Sequence, residues 1–225
     1  MDDSKTLGLD HFRAYDLVAR AVDYSVSLRG QFDRKGPRRH RLVSLEHFSN
    51  PVDKNGEGIL DRQAHLDWYA LDPATAAEPV RTVELANQFG TQSLTIGDAA
   101  LLLVPTEKIE KGSRPPLGLD HFKCYRVLEG TTPAAASLRL EDQFLRSRRV
   151  RLEIPLFFCV PVTKEYRKGI EEIHNPKAHL TIYRISPREH ATKRKVRDQF
   201  DEYALSILST AMLAVPTRKL RWAEV

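Results

Sequence analysis

One motif returns four times along this chain, each copy followed by the same two landmarks, and that repetition narrows the fold before any local reading does. Gly8-Leu9-Asp10-His11-Phe12-Arg13-Ala14-Tyr15 reappears as Gly118-Leu119-Asp120-His121-Phe122-Lys123-Cys124-Tyr125, displaced by 110 positions (121 − 11). Shorter copies stand at Ala64-His65-Leu66-Asp67-Trp68-Tyr69 and Ala178-His179-Leu180-Thr181-Ile182-Tyr183. After each copy comes a Gln-Phe pair (Gln31-Phe32, Gln88-Phe89, Gln143-Phe144, Gln199-Phe200), then an apolar run that reaches Pro51, Pro105, Pro161 or Pro216. The chain of 225 residues thus reads as four units of roughly 50 residues, grouped by the long displacement into two halves.

Within each unit the local signals are those of β-strands. Short runs of Val, Leu, Ile, Phe and Tyr alternate with polar residues between Gly, Pro, Asn and Asp. We read four strands per unit: one across His-x-x-x-Tyr, one into Gln-Phe, a third such as Leu94-Thr95-Ile96, and a fourth such as Leu101–Val104 or Leu156–Val160. Gly97-Asp98 reads as a tight turn between the last two. Roughly sixteen short strands with frequent turns specify antiparallel all-β architecture, barrel or sandwich. The expected arrangement is two tandem, pseudo-symmetric β domains, 1–110 and 117–225, each made of two similar four-stranded units. Asp53–Gly58, Lys108–Pro116 and Lys164–Lys177 read as the joins. Asp72–Val80 and Ala191–Tyr203 are the segments that could carry a helical turn instead.

Strand periodicity also sorts the side chains. Residues i and i+2 share a face, so His121, Lys123 and Tyr125 project one way, Phe122 and Cys124 the other. The same split groups Phe12 with Ala14, Leu66 with Trp68, and Leu180 with Ile182. That face is apolar in every copy and is read as the core. Its partners before the prolines are Ser49, Leu103, Cys159 and Ala214.

Several function classes find no footing. A hydrophobic share of 41% supports real cores, yet no run approaches the ~18 apolar residues of a membrane-spanning helix. Met1-Asp2-Asp3-Ser4-Lys5 lacks the basic start and apolar stretch of a signal peptide, so the chain as written reads as cytoplasmic unless a leader was removed. Gly-x-Ser-x-Gly, the P-loop, the dinucleotide fingerprint and His-Glu-x-x-His are all missing. Two cysteines form no Cys-x-x-Cys or Cys/His ligand spacing. No cofactor or metal is expected. A net charge of +5 leans weakly toward an anionic partner.

The Asp-His-Phe-Lys-Cys-Tyr signature, Asn87-Gln88-Phe89-Gly90, Pro51-Val52-Asp53-Lys54-Asn55-Gly56-Glu57-Gly58 and the Val-Pro closing the last three units resemble an uncharacterised bacterial repeat family. Its members are mostly predicted to be secreted, with one cysteine on the first strand and one on the last strand of each unit. The resemblance covers nearly the whole chain and carries no assigned activity. Here only one unit keeps the pair, Cys124 and Cys159; the others read Ala14 with Ser49, Trp68 with Leu103, and Ile182 with Ala214. Replacement in pairs implies that the two positions touch. Cys124 and Cys159 are then either a disulfide or two buried thiols, according to compartment.

The residues that tempt a chemical reading recur in every unit. His11, His65, His121 and His179 could ligate a metal or shuttle protons. A residue present in every unit serves the unit, however, whereas a catalytic site is built once and needs its groups to converge. His and Tyr four apart on a strand lie about 13 Å from each other, so Tyr15, Tyr69, Tyr125 and Tyr183 form no dyad with them, and both sets are read as structural. The Gln-Phe phenylalanine is expected to plug the core and the glutamine to satisfy turn backbone. Asp53-x-Asn55-Gly56-Glu57 has a calcium-loop flavour, but the twelfth place holds Ala64, so an Asx turn is the simpler reading.

The best functional lead is basic. Arg34, Lys35, Arg38, Arg39 and Arg41 follow one Gln-Phe pair; Arg146, Arg148, Arg149 and Arg151 follow another, at the equivalent place in the second half. Lys193-Arg194-Lys195-Val196-Arg197 precedes the last pair. Arginine forks suit phosphate, carboxylate or sulfate, although the interleaved aromatics of a single-strand nucleic-acid platform are missing. The leading expectation is a non-enzymatic structural or binding module, a subunit or assembly component that contacts a protein partner or forms a homo-oligomer. The alternatives are an anion-binding protein for nucleic acid or acidic polysaccharide, using the arginine loops, and a metal-dependent enzyme of unrecognised type.

Overall fold

The computed structural model describes residues 3–133, 137–146, 148–167, 169–187 and 193–225. Along the described chain run α1 (Asp3–Leu7), β1 (Phe12–Gly30), β2 (Arg38–Pro51), β3 (Asp53–Lys54), β4 (His65–Leu71), α2 (Pro73–Ala76), β5 (Arg81–Asn87), β6 (Gly90–Lys108) and β7 (His121–Gly130). There follow β8 (Ser137–Glu141), β9 (Arg148–Tyr166), β10 (Gly169–Glu171), β11 (His179–Ser186), β12 (Lys193–Arg197) and β13 (Glu202–Glu224). The antiparallel all-β class is as the sequence predicts.

Eight of these strands pair in an unbroken antiparallel circuit. β1 pairs with β2, β2 with β4, β4 with β6, and β6 with β7. β7 then pairs with β9, β9 with β11, β11 with β13, and β13 returns to β1. Each unit supplies two of the eight strands. A barrel of this size encloses a space that side chains can fill, and closure removes the sticky edges of an open sheet. The interior is one apolar cluster drawn from every unit, including Phe12, Leu66, Trp68, Leu103, Phe122, Leu180 and Met212. Across the strand pairs, Ala14 faces Ser49, Trp68 faces Leu103, Cys124 faces Cys159, and Ile182 faces Ala214. Cys124 and Cys159 are joined by a disulfide.

The halves 1–110 and 117–225 share this one sheet and do not close separately: β6 pairs with β7 across the join, and β1 pairs with β13. The reason is geometric. Two units contribute four barrel strands and leave two open edges, which the other pair of units covers.

The rest of each unit is a hairpin arm ending at Gln-Phe, laid over the outside of the barrel. Every arm reaches the unit two places away. Ser27–Gly30 of the first unit pairs with Val162–Glu165 of the third, and Leu140-Glu141 of the third with Asp53-Lys54 of the first. Arg81–Ala86 of the second pairs with Arg218–Glu224 of the fourth, and Val196-Arg197 of the fourth with Glu107-Lys108 of the second. The register is the same each time. The residue three before the glutamine (Leu28, Leu85, Leu140, Val196) faces the lysine three after the proline (Lys164, Lys219, Lys54, Lys108).

These arms explain where the strand count departs from expectation. Strands anticipated as separate run on as long bent ones, β1, β6, β9 and β13. Gly97-Asp98 is a point inside β6 where the register against β7 slips, between Ile96 and Ala99, a bulge that bends the strand where a turn was expected. Of the two anticipated helical segments, Asp72 does cap α2, its side chain accepting from Ala74 N. The other becomes β12 and the start of β13, with Ala191 outside the described residues. The arms also bury the polar face of the first strands: Arg13, Lys123 and all four tyrosines of the repeat are inaccessible. Asp53 Oδ1 accepts from Gly56 N and Gly58 N, which is the Asx turn.

The long Gly-Leu-Asp-His motif also finds its reason. Gly8 and Gly118 sit in the left-handed region (φ 61° and 67°), where a Cβ is disfavoured. The Asp two places on ties down a linker: Asp10 accepts from Leu60 N and Asp61 N, and Asp120 from His174 N and Asn175 N.

Candidate functional site

Folding the arms back sets each Gln-Phe pair against two other units, which builds four similar corners round the barrel. The glutamine reaches the histidine of the preceding unit. Gln88 Nε2 lies 2.9 Å from His11 Nε2, Gln143 3.4 Å from His65, Gln199 3.0 Å from His121, and Gln31 2.7 Å from His179. The last pair closes the circle from first unit to fourth. The expected role for these glutamines, turn backbone, gives way to ring closure. His179 Nδ1 sits 2.9 Å from the Lys177 carbonyl, which fixes Nδ1 as the donor and leaves Nε2 to accept from Gln31.

The phenylalanine and the residue before the glutamine meet the tyrosine two units on. Phe32 packs on Tyr125, Phe89 on Tyr183, Phe144 on Tyr15 and Phe200 on Tyr69, with ring centroids 5.3, 5.8, 5.4 and 5.3 Å apart. Tyr15 donates to Asp142 (2.6 Å), Tyr69 donates to Asp198, and Tyr183 accepts from Asn87 (2.9 Å) and donates to Gln92 (2.8 Å).

A lysine completes each corner: Lys54, Lys108, Lys164 and Lys219, three places after the prolines. Lys164 Nζ lies 2.9 Å from His121 Nε2. Lys108, Lys164 and Lys219 stand over Phe144, Phe200 and Phe32 at 5.1, 5.6 and 5.6 Å. Burial and these ammonium groups keep three of the imidazoles neutral: His179 is pushed down to about 4 by desolvation and by Lys219, and His65 and His121 fall well below the usual range through burial and through Lys108 and Lys164. Desolvation lowers Lys164 to about 8, with Glu171 opposing.

The Pro-x-x-Lys spacing and the Asp or Asn before three of the glutamines are plain in the sequence, yet reading them as site residues required knowing which units touch. A buried ion cluster was also hidden. Lys123 Nζ is 2.9 Å from both Asp33 oxygens and 3.3 Å from Glu78, which also meets Arg38 (2.8 Å) and Arg81 (3.3 Å).

The arginine loops lie on opposite arms. In the first, Arg38 is bound to Glu78, Arg41 pairs with Asp23 at 2.8 Å, and Arg34 stacks over Trp222 at 4.6 Å, while Lys35 and Arg39 are exposed. In the second, Arg146, Arg148, Arg149 and Arg151 are exposed. The side chains of Lys193–Val196 lie outside the described residues. The four histidines occupy four separate corners, and among the described residues no group of three or more His, Cys, Asp or Glu converges on a metal position. The corners can hold chains in register, with Lys54, Lys108 and Lys164 buried in them and Lys219 partly exposed.

No curated protein and no solved structure matches the chain. A family model does, over residues 65–216, which takes in the second, third and most of the fourth unit. The chain belongs to that family, a repeat of unknown function (DUF7450).

Proposed function

We propose that this protein is a non-enzymatic binding or assembly module, a rigid barrel that contacts a protein partner through the end where its units are joined. The observation that carries this reading is an apolar rim at that end. Leu60, Leu117 and Ile170 are 52%, 76% and 62% exposed. Leu117 and Ile170 share the wall of a cleft of about 680 Å³, and Leu60 and Leu117 share the neighbouring one. Grouped exposed apolar side chains among polar ones mark interaction surfaces. The linkers that carry two of them are pinned by Asp10 and Asp120, so little order is lost on binding. The recurrent His and Gln pair with each other and the recurrent Tyr with Phe at the corners, which leaves recognition to linkers and loops. The disulfide supports a module working in an oxidising compartment, as a secreted protein does.

Sedimentation of the native protein with chemical cross-linking tests this. A stoichiometric complex or oligomer is expected, and Leu117→Asp with Ile170→Asp should dissolve it while leaving the β spectrum unchanged. A strict monomer holding no partner overturns the reading.

A second reading, anion binding through the arginine loops, is favoured by Arg146, Arg149 and Arg151, which carry no ion pair among the described residues. Steep loss of nucleic-acid or polysaccharide binding with salt would distinguish it.

A further inference from the structure

The lysines of the four corners share one place in the repeat and differ in their counter-ions. At three of them, a glutamate carried by the chain just beyond the lysine supplies a counter-ion: Glu57 to Lys54, Glu110 to Lys108 (3.8 Å) and Glu171 to Lys164 (3.3 Å). Those segments can do so because the chain turns back there toward the next unit. At the fourth, β13 runs straight on and pairs with β5 through Glu224, and among the described residues no carboxylate reaches Lys219. Its ammonium donates to Gln31 Oε1 and lies over Phe32 and Trp222.

The space beside it is open. A cleft of about 640 Å³ is lined by Gln31, Asn175, Lys177, His179, Arg218 and Lys219, among others, with three cationic side chains and, among the described residues, no acid in its wall. The cleft at the third corner, of about 680 Å³, is walled instead mostly by acids, Glu107, Asp120, Glu171, Glu172 and Asp198, beside Arg197. The third corner, where the chain provides its own carboxylate, is thus mainly acid-lined, and the fourth, where it does not, is base-lined. Lys219 is lowered by desolvation alone, which is the condition of a half-dehydrated cation without a counter-charge; an ionised partner there forms a charge-assisted bond.

We propose that the cleft at the fourth corner binds a carboxylate ligand, seated on Lys219 in the place that the chain's own glutamate takes at the other three. Lys177 and Arg218 flank the entrance, and Asn175 and the Gln31 amide supply further polar contacts. The proposal stands apart from the module reading in its residues: the cleft shares Asn175 with the one walled by Leu60 and Leu117, but none of the exposed apolar side chains of the rim.

Trp222 beside Lys219 provides the readout, because the other tryptophan, Trp68, is sealed in the barrel. Native protein is titrated with N-acetylglutamate amide, glutarate, N-acetylglutamine amide and inorganic phosphate while Trp222 fluorescence is followed. A saturable change is expected with the carboxylates, at least about tenfold weaker with the neutral glutamine compound. A stronger response to the amide than to glutarate identifies a peptide glutamate as the ligand, and the reverse identifies a free acid. Lys219→Gln should weaken binding by a similar factor and Lys219→Arg retain it; the exposed variants Lys177→Gln and Arg218→Gln should each weaken it severalfold without touching the fold. No saturable change with either carboxylate, an equal response to the neutral compound or to phosphate, or full binding by Lys219→Gln overturns the proposal. Partner cross-linking by the same variants stays intact in each of those outcomes, so failure here is separable from failure of the module reading.

Discussion

Tyr125 breaks a rule that the other three repeat tyrosines obey. Tyr15 and Tyr69 donate to an aspartate before the opposing glutamine, and Tyr183 is bonded to an asparagine there. The equivalent of those residues in the first unit is Gly30, so the buried Tyr125 hydroxyl has no hydrogen-bond partner among the described residues. A Cβ at Gly30 would lie 3.0 Å from Val162 Cγ1, so a side chain there requires Val162 to give way. Asp33 has moved the acid three places on, where it binds Lys123. A hydroxyl bonded to a carboxylate and an unbonded buried hydroxyl respond oppositely to deletion. Tyr15→Phe and Tyr69→Phe should therefore each cost about 2 kcal/mol in urea unfolding, whereas Tyr125→Phe should be neutral or stabilise by up to about 1 kcal/mol. Equal losses in all three would mean that the tyrosines act through their rings alone. These residues were legible as a repeated set, but their partners were not: Gln31 and His179 are 148 positions apart, and no local pattern joins them.

Among the elements, the pairs of interior positions on adjacent barrel strands were readable because substitution in the repeat supplies its own comparison. Cysteine in one unit, and Ala with Ser, Trp with Leu, or Ile with Ala in the others, mark two places that must touch, and those places are opposed in register. Less legible was whether a strand ends or bends. Gly97-Asp98 has turn chemistry, yet β6 passes through it because both flanks are paired, with β5 before and β4 and β7 after. Long-range pairing overrides local turn preference here. The three disulfide-free pairs show that the covalent bond is not what sets the register. Its contribution is to the unfolded chain, where it closes a loop of 35 residues. Reduction should lower stability by roughly 2–4 kcal/mol and leave the far-ultraviolet β spectrum of the folded protein intact. A reduced protein that loses its β spectrum at ambient temperature would place the bond among the requirements for assembly.

At the scale of the whole molecule, the repeat displacement of 110 suggested two bodies, and the pairings produce one. A tandem repeat reports how many equivalent surroundings exist; it does not report whether neighbours or alternate units provide them. Here it is alternate units. All four arm contacts join the first unit to the third or the second to the fourth, so every one of them crosses the middle of the chain. So do the four phenylalanine–tyrosine contacts and two of the eight barrel-strand pairings. A half-chain would retain its local strands, lose the cover over its tyrosines and lysines and half the lining of the interior, and expose two open sheet edges. Exposed edges and uncovered apolar faces favour association over folding. Residues 1–112 and 113–225 expressed separately should therefore lack cooperative unfolding transitions, and mixing them should restore a β spectrum and a single sharp transition at equimolar ratio. Two halves that each melt cooperatively alone would restore the two-domain arrangement, and would reduce the corner contacts to a docking surface between finished bodies. The strict register of the four clasps argues for the other outcome, because a leucine or valine facing a lysine at the same place four times over is the signature of strands that form together.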